Sequence, residues 1–187
     1  RRRPKGADLD PAHPDANWKD LLAFEAAEMG RTRQPFVLVV GGGQGGLGLG
    51  ARLRQLGVPT LIVDRHPNVG DVWRSRYKSL SLHDPVWYDH MPYLPFPDTW
   101  PVFTPKDKIA DWLEAYAGIM ELNVWTSTEC VAAAYDEAKG EWKVTLRRDD
   151  ETLVVSPKHL VIAAGNAGKP NVPAFAGADS FAGSILH

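Results

Sequence analysis

The stretch Phe36-Val-Leu-Val-Val-Gly41-Gly-Gly-Gln-Gly-Gly46-Leu47 joins a short apolar run to a glycine-rich turn. Five apolar residues, three of them β-branched, are typical of a strand that is buried on both faces. The glycines then fall in the pattern G-x-G-x-x-G, at Gly41, Gly43 and Gly46. Apolar residues at helical positions predict a helix that ends near Gly57: Leu47, Leu49, Ala51, Leu53 and Leu56.

Each glycine of this pattern has a separate physical reason. We expect Gly41 to permit a tight turn, Gly43 to let a pyrophosphate approach the backbone, and Gly46 to let the helix pack closely. The start of the helix would offer unpaired N–H groups and a partial positive charge to the phosphates. A glycine-rich loop without a ligand is the alternative, because the chain contains 17 glycines.

A second apolar run supports the dinucleotide interpretation. Pro59-Thr-Leu-Ile-Val-Asp64 predicts the next parallel strand and ends in an acid 23 residues after Gly41. A carboxylate at that place accepts hydrogen bonds from a ribose 2′-hydroxyl. It would repel a 2′-phosphate, because two anions would meet there. The residues therefore predict a site for FAD or NAD rather than NADP.

Composition excludes several other classes. The chain has 187 residues, a formal charge of −2 and one cysteine, Cys130. The charge argues against a nucleic-acid partner, and a single cysteine excludes a disulfide framework. No apolar run is long enough for a membrane span, so we expect a soluble, cytoplasmic protein. We also expect no metal site. Residues 1–16 are predicted to be a linker and residues 17–187 one domain.

The remaining elements predict an α/β fold. Strands are expected near 36–40, 60–64, 123–127 and 160–164 in a central parallel sheet, and residues 129–156 as an antiparallel meander. A lead-in helix is predicted over 17–30, capped by Asn17. A later helix should begin with Thr104 as N-cap and Pro105 at its first position. Its apolar stripe predicts a core face: Ile109, Trp112, Leu113, Tyr116, Ala117 and Met120.

The segment from Arg65 to Pro101 is rich in aromatic residues and proline, with little periodicity. Long irregular loops are uncommon inside compact domains and are usually functional. This one could cover a flat ring system, or it could be a surface excursion held down by its aromatic side chains.

These residues resemble the N-terminal, FAD-binding part of the flavin-containing monooxygenases, including the plant YUCCA-like and bacterial ones. The likeness extends from about Pro35 to His187 and includes the fingerprint F-x-G-x-x-x-H at Phe181, Gly183 and His187. His83 stands where many members have Asn, and Ala164 where they have Thr. The resemblance implies that His83 and His187 are catalytic. It implies these cofactor contacts: Gly41, Gly43, Gln44, Gly45, Gly46, Asp64, Arg65, Trp73, Arg74, His83, Cys130, Val131, Ala164 and Gly165.

The resemblance also implies an activity: FAD- and NADPH-dependent transfer of one oxygen atom from O2 to a small organic substrate, by a protein that could be a homo-oligomer. The second glycine fingerprint of the family, for NADPH, is expected beyond His187, so a Rossmann-like domain incomplete relative to the family is predicted. Two alternatives are an FAD/NAD(P)H reductase without oxygen transfer and a non-catalytic FAD-binding fragment.

Overall fold

The computed structural model describes residues 13–166 and 171–185. Numbered in chain order, its helices and strands are α1 (Trp18–Glu28), β1 (Val37–Val40), α2 (Gln44–Gln55), β2 (Thr60–Val63), α3 (Asp71–Arg74), α4 (Lys106–Ile119), β3 (Val124–Trp125), β4 (Thr128–Asp136), β5 (Glu141–Arg148), β6 (Glu151–Val155) and β7 (His159–Ile162). A single 3₁₀ turn, Ala178–Ser180, follows in the described part of the tail.

Four parallel strands form the central sheet in the order β3-β2-β1-β7. Strand β1 lies between β2 and β7, with Val37 paired to Thr60 on one side and to His159 on the other. The turn after β1 therefore lies at the carboxyl edge of the sheet and between two neighbouring strands. Ligands of open α/β sheets bind at that edge. The predicted α/β class with a parallel sheet is confirmed.

Alternate residues of β1 supply two separate cores, as the two-residue period of a strand requires. Val37 and Val39 pack with residues of α2 and α4, including Leu47 and Leu113. Leu38 points to the other face, into a cluster that the meander closes. That second cluster contains Met29, Leu61, Val63, Trp125, Val144, Leu146 and Val155. Both sides of the parallel sheet are thus covered.

The predicted meander is present as three antiparallel strands in the order β4-β5-β6. Its pairing runs from Asp136 with Glu141 at one turn to Arg148 with Glu151 at the other. The register shifts between Cys130 and Ala132, so Val131 lies at a β-bulge. In the part of the chain that the structure describes, no helix is long and apolar enough to cross a membrane.

The lead-in helix is present and begins as predicted. The side chain of Asn17 accepts from the N–H groups of Lys19 and Asp20, and the Asp20 carboxylate accepts from the N–H of Asn17. No residue of α1 is buried. Ion pairs attach the helix instead, chiefly from Glu25 to Arg54 at 2.9 Å.

Several expectations about element ends and about the irregular loop differ from the structure. The prediction of Thr104 as N-cap and Pro105 as first helical residue was wrong, because Pro105 is the N-cap and Lys106 begins α4. The Thr104 hydroxyl donates instead to the Pro101 carbonyl at 3.1 Å. Strand β3 is shorter than predicted, and the irregular loop contains the short helix α3. The apolar stripe of α4 is confirmed, with Ile109 and Leu113 buried.

Candidate functional site

The turn after β1 is held too tightly for side chains at two of its glycines. Gly41 has φ +114°, and a Cβ there would lie 2.3 Å from the Ala163 carbonyl oxygen. A Cβ on Gly46 would lie 1.9 Å from the Gly41 carbonyl oxygen. Both contacts are with backbone, which cannot rotate away. The glycine at each position is therefore required by the packing of the turn itself.

Gly43 and Gly45 behave in the opposite way. Among the residues that the structure describes, a Cβ at either position would have no heavy atom within 4 Å. Gly43 is the N-cap of α2, and α2 has neither a side-chain cap nor an acidic residue in its first turn. Helix α1, by contrast, is capped by side chains at its start. Within the described part of the chain, the start of α2 thus combines N–H groups that have no side-chain cap with open space, which is what an anionic ligand needs.

The strand-end acid Asp64 faces this turn. Its Oδ2 accepts from the Gly42 N–H at 2.6 Å, and its Oδ1 accepts from the His66 N–H at 2.9 Å. The ring nitrogen Nδ1 of His66 also lies 2.7 Å from Oδ1. The Asp64 side chain is 14% exposed. Its carboxylate therefore joins the glycine turn to the segment after β2. His66 was not among the site residues predicted from the sequence.

Trp73 and Gln44 connect a second segment to the same turn. The Trp73 indole N–H donates to Gln44 Oε1 at 3.1 Å. Trp73 lies in α3, which begins after Gly70, a residue with φ +91°. A Cβ on Gly70 would lie 2.4 Å from the Ala110 carbonyl oxygen, so α3 packs directly on α4. Trp73 and Gln44 were both predicted cofactor contacts, and the structure brings them together.

Arg74 is turned towards α4. Its guanidinium donates to Asp71 at 2.9 Å, Asp111 at 2.8 Å and Glu114 at 2.7 Å, and also to the Val69 carbonyl at 3.0 Å. The hydrogen bonds with Asp111 and Asp71 raise the pKa of Arg74 above its already high ordinary value. Arg74 thus fastens α3 to α4 through three carboxylates. Its predicted contact with a cofactor stays a prediction.

His83 lies in the segment that pairs with the start of α4. The Leu82 N–H donates to the Thr104 carbonyl at 2.9 Å, and the Lys106 N–H to the Leu80 carbonyl at 3.0 Å. The buried Lys106 ammonium donates to the Arg74 carbonyl at 2.9 Å. The His83 side chain is exposed beside this anchored backbone. Its predicted catalytic role is not tested by this placement.

The other predicted contacts lie within or just after strands. Cys130 and the exposed Val131 lie at the bulge of β4, and burial together with Glu129 raises the pKa of the Cys130 thiol. Ala164 and Gly165 follow β7, with Gly165 at φ +78°. Arg65 is exposed after Asp64. The predicted catalytic residue His187 lies outside the described residues, and Phe181 is 61% exposed.

Comparison with known proteins places this geometry in a family. The sequence profile described as "pyridine nucleotide-disulphide oxidoreductase" matches residues 38–185, which include the glycine turn, Asp64 and the meander. The chain belongs to this oxidoreductase family. The single cysteine shows that a pair of cysteines within the chain is no part of its chemistry.

Several proteins that are similar to this chain are monooxygenases. Indole-3-pyruvate monooxygenase YUCCA1 of Oryza sativa subsp. japonica is 36% identical over 87% of this chain and 39% of its own length. A flavin monooxygenase variant from Stenotrophomonas maltophilia is 27% identical, with a TM-score of 0.72 over 82% of this chain and 45% of its own. OTEMO, solved in complex with FAD and NADP, is 25% identical, with a TM-score of 0.66 over 81% of this chain and 30% of its own.

The predicted resemblance to flavin-containing monooxygenases is confirmed by these relatives. The chain spans about two fifths of the length of the curated relatives that it matches, from 36% to 40%. The part that the family profile matches includes most of the β1–α2–β2 unit, the loop with α3, and the meander.

Proposed function

We propose that this chain is the FAD-binding part of a flavin-dependent monooxygenase that uses NADPH and O2 to oxygenate a small organic substrate. The observation that carries the proposal is the open space in front of Gly43, at the uncapped start of α2. A pyrophosphate is a dianion of the size and charge that such a helix start binds. The OTEMO relative holds FAD and NADP, which supports FAD as the dinucleotide here.

Different residues of this chain would contact different parts of FAD. Gly43, Gln44 and Gly45 would meet the pyrophosphate, while Gly41 and Gly46 keep the turn tight enough to present them. Asp64 would accept from the adenosine ribose. The remaining predicted contacts would serve the flavin (Trp73, Arg74, His83, Ala164 and Gly165) and the adenine end (Arg65, Cys130 and Val131).

When bound, FAD would supply the redox chemistry, so that NADPH, a proton and O2 yield one oxygen atom in the substrate, one water and NADP⁺. The chain's own share is to bind, orient and exclude water. Trp73, which donates to Gln44 at the glycine turn, would shield a flat ring, and exposed aromatic residues of the loop such as Trp87 and Tyr88 would add to that shield. His83 and His187 are proposed to act close to the reacting atoms.

The test uses the longer protein in which this chain occurs, loaded with FAD and given NADPH and ¹⁸O2. A small thioether, a tertiary amine and a cyclic ketone serve as probes for S-oxygenation, N-oxygenation and Baeyer–Villiger chemistry. We expect ¹⁸O in at least one product, with NADPH consumed in step. NADPH oxidation that yields only hydrogen peroxide with every probe would favour the reductase alternative.

The 187-residue chain provides the matched comparison. It should retain FAD after desalting, yet show no substrate-dependent NADPH oxidation, because only one dinucleotide fingerprint is found in its sequence. Steady NADPH turnover by the chain itself would contradict that expectation. Loss of FAD on desalting, with an intact melting transition, would favour a fragment that binds no flavin.

We also propose a cytoplasmic location, a small-molecule substrate and O2 as the reaction partners, and assembly as a possible homo-oligomer. The location rests on the single cysteine, which suits a reducing compartment. Fractionation of cells that express the full protein would test the location, and sedimentation of the purified protein would test the assembly.

A further inference from the structure

Most of the hydrogen-bonding capacity of Asp64 is already used inside the protein. An ionised carboxylate offers about four acceptor sites. Three of them are taken by the Gly42 N–H at 2.6 Å, the His66 N–H at 2.9 Å and the His66 ring at 2.7 Å. One site, on Oδ2, is left. A ribose presents two adjacent hydroxyl groups, so Asp64 can accept from only one of them.

The contact with Asp64 also sets the tautomer of the neutral His66 ring. An ionised carboxylate can only accept, so Nδ1 must carry the proton in the 2.7 Å contact with Oδ1. In the neutral imidazole the other nitrogen, Nε2, is then an acceptor. No group in the described part of the chain forms a hydrogen bond with Nε2. The contact of Nδ1 with Asp64 thus orients the ring, and Nε2 is available to accept a hydrogen bond from a ligand.

The backbone around His66 holds that ring in the wall of an open groove. The Ser127 N–H donates to the His66 carbonyl at 2.8 Å, and the Thr128 N–H donates to the Asp64 carbonyl at the same distance. The His66 side chain is 28% exposed. The groove lies beyond the carboxyl ends of β2 and β3, and it is lined by Arg65, His66, Pro67, Ser127, Glu129, Arg147 and Asp149.

We propose that His66 is a specificity-determining residue for the dinucleotide, with Nε2 accepting a hydrogen bond from the adenosine ribose hydroxyl that Asp64 cannot take. This inference rests on the proposed binding of FAD. It makes Asp64 and His66 one unit, in which the carboxylate accepts from one hydroxyl and orients the imidazole for the other. The ligand class recognised here is an adenosine diphosphate, either free or as the adenosine half of FAD.

Two substitutions separate the two ring nitrogens. In His66→Asn the side-chain amide can still donate to Asp64 from the place of Nδ1, but nothing replaces Nε2. In His66→Gln the amide reaches the place of Nε2 and gives up the contact with Asp64. His159→Asn is the matched control, because His159 is an exposed histidine at the start of β7 whose described ring contact is with Phe36.

The measurement is calorimetric titration of each protein with ADP, FAD and FMN, together with its melting temperature. Because one neutral hydrogen bond is lost, we expect the affinity of His66→Asn for ADP and for FAD to fall by roughly three- to tenfold. FMN binding should not change, because FMN lacks the adenosine. His66→Gln should keep more of the ADP affinity than His66→Asn, and His159→Asn should match the wild type.

Equal ADP and FAD affinity in His66→Asn and the wild type would overturn the inference, and would leave the proposed function standing. Equal weakening of FMN and FAD would overturn it too, because the effect would then come from the pyrophosphate or flavin side. A wild-type chain that binds neither ADP nor FAD would contradict the proposed function itself.

Discussion

Trp73 donates its indole N–H to the side-chain oxygen of Gln44 at 3.1 Å, across 29 positions of sequence. Gln44 is the first residue of α2, directly after the open Gly43, and Trp73 lies in α3. One hydrogen bond thus joins the two segments that we propose to meet the pyrophosphate and the flavin. The position of one segment should therefore affect how well the other holds a cofactor.

This contact predicts an energetic coupling. Trp73→Phe keeps an aromatic ring but loses the N–H, and Gln44→Ala loses the acceptor. We expect each change to weaken FAD binding. The double mutant should lose less binding free energy than the two single mutants lose together. The coupling should be about 0.5–1.5 kcal/mol, the net value of one hydrogen bond. Dissociation constants from flavin fluorescence give the cycle.

Trp142→Phe serves as the control for this cycle, because Trp142 packs against Tyr135 in the meander. It should leave FAD affinity unchanged. Full additivity of Trp73→Phe and Gln44→Ala would mean that the contact does not join the two segments in solution.

Local patterns were enough to predict the parallel sheet, the glycine turn and the meander. The signals there are short in sequence: a β-branched run, the G-x-G-x-x-G spacing, and turn residues between strands. The start of α4 was mispredicted because Thr104 satisfies the Pro101 carbonyl instead of capping the helix. Helix α3 has only four residues, too few to show a period.

The contacts that shape the candidate site join residues far apart in the chain, so no local pattern encodes them. Arg74 finds two of its carboxylates on α4, 37 and 40 positions away. Trp73 and Gln44 are likewise joined only by the fold. The contact between His66 and Asp64 is close in sequence, and a polar ring two residues after a strand-end acid was a signal that could have been used.

Gly43 should distinguish ligand binding from folding. Its φ of −83° suits any residue, and a Cβ there would meet no atom of the described residues within 4 Å. Gly43→Val should therefore fold, but its side chain would occupy the space proposed for the pyrophosphate. We expect FAD affinity to fall by more than tenfold, which is above about 1.4 kcal/mol. Absorbance at the flavin band after desalting measures it.

The control for Gly43 is Gly118→Ala in α4, where a Cβ also meets nothing within 4 Å. That variant should bind FAD as the wild type does. If Gly43→Val and the wild type retain equal amounts of FAD, the pyrophosphate does not lie against this turn.

Two glycines of α2 should respond oppositely to the same substitution. A Cβ on Gly48 would make an ordinary contact with Pro92 at 3.5 Å, whereas a Cβ on Gly46 would collide with the Gly41 carbonyl oxygen at 1.9 Å. Gly48→Ala should stabilise the fold by up to about 1 kcal/mol, the helix propensity difference. Gly46→Ala should lower the free energy of unfolding by about 1–3 kcal/mol, the typical cost of overpacking. Urea midpoints at equal slope measure both, and a stabilising Gly46→Ala would contradict this account of the turn.

The attachment of α1 should weaken in acid, because part of it depends on Glu25. Burial would raise the pKa of Glu25, but hydrogen bonds from Arg54 and Asn123 and the charges of Arg54 and Arg33 bring it below its ordinary value of 4.5. A carboxyl with a lowered pKa in the folded state stabilises the fold above its ordinary pKa. That contribution is lost as the pH falls through the folded pKa.

Glu25→Gln removes this titration and the ion pair with Arg54. At neutral pH it should lower the free energy of unfolding by about 1.5–3 kcal/mol, the range for hydrogen bonds to charged groups. The difference from the wild type should shrink as the pH falls below about 4.5, where the unfolded chain takes up a proton at Glu25, and should vanish below the folded pKa, where the wild-type carboxyl is protonated in both states. Thermal melts across that range measure it. Glu151→Gln, at the exposed pair with Arg31, is the control and should change stability by about 0–1 kcal/mol at neutral pH. A difference between Glu25→Gln and the wild type that stays constant down to the acid transition would show that the charge of Glu25 does not hold α1 in place.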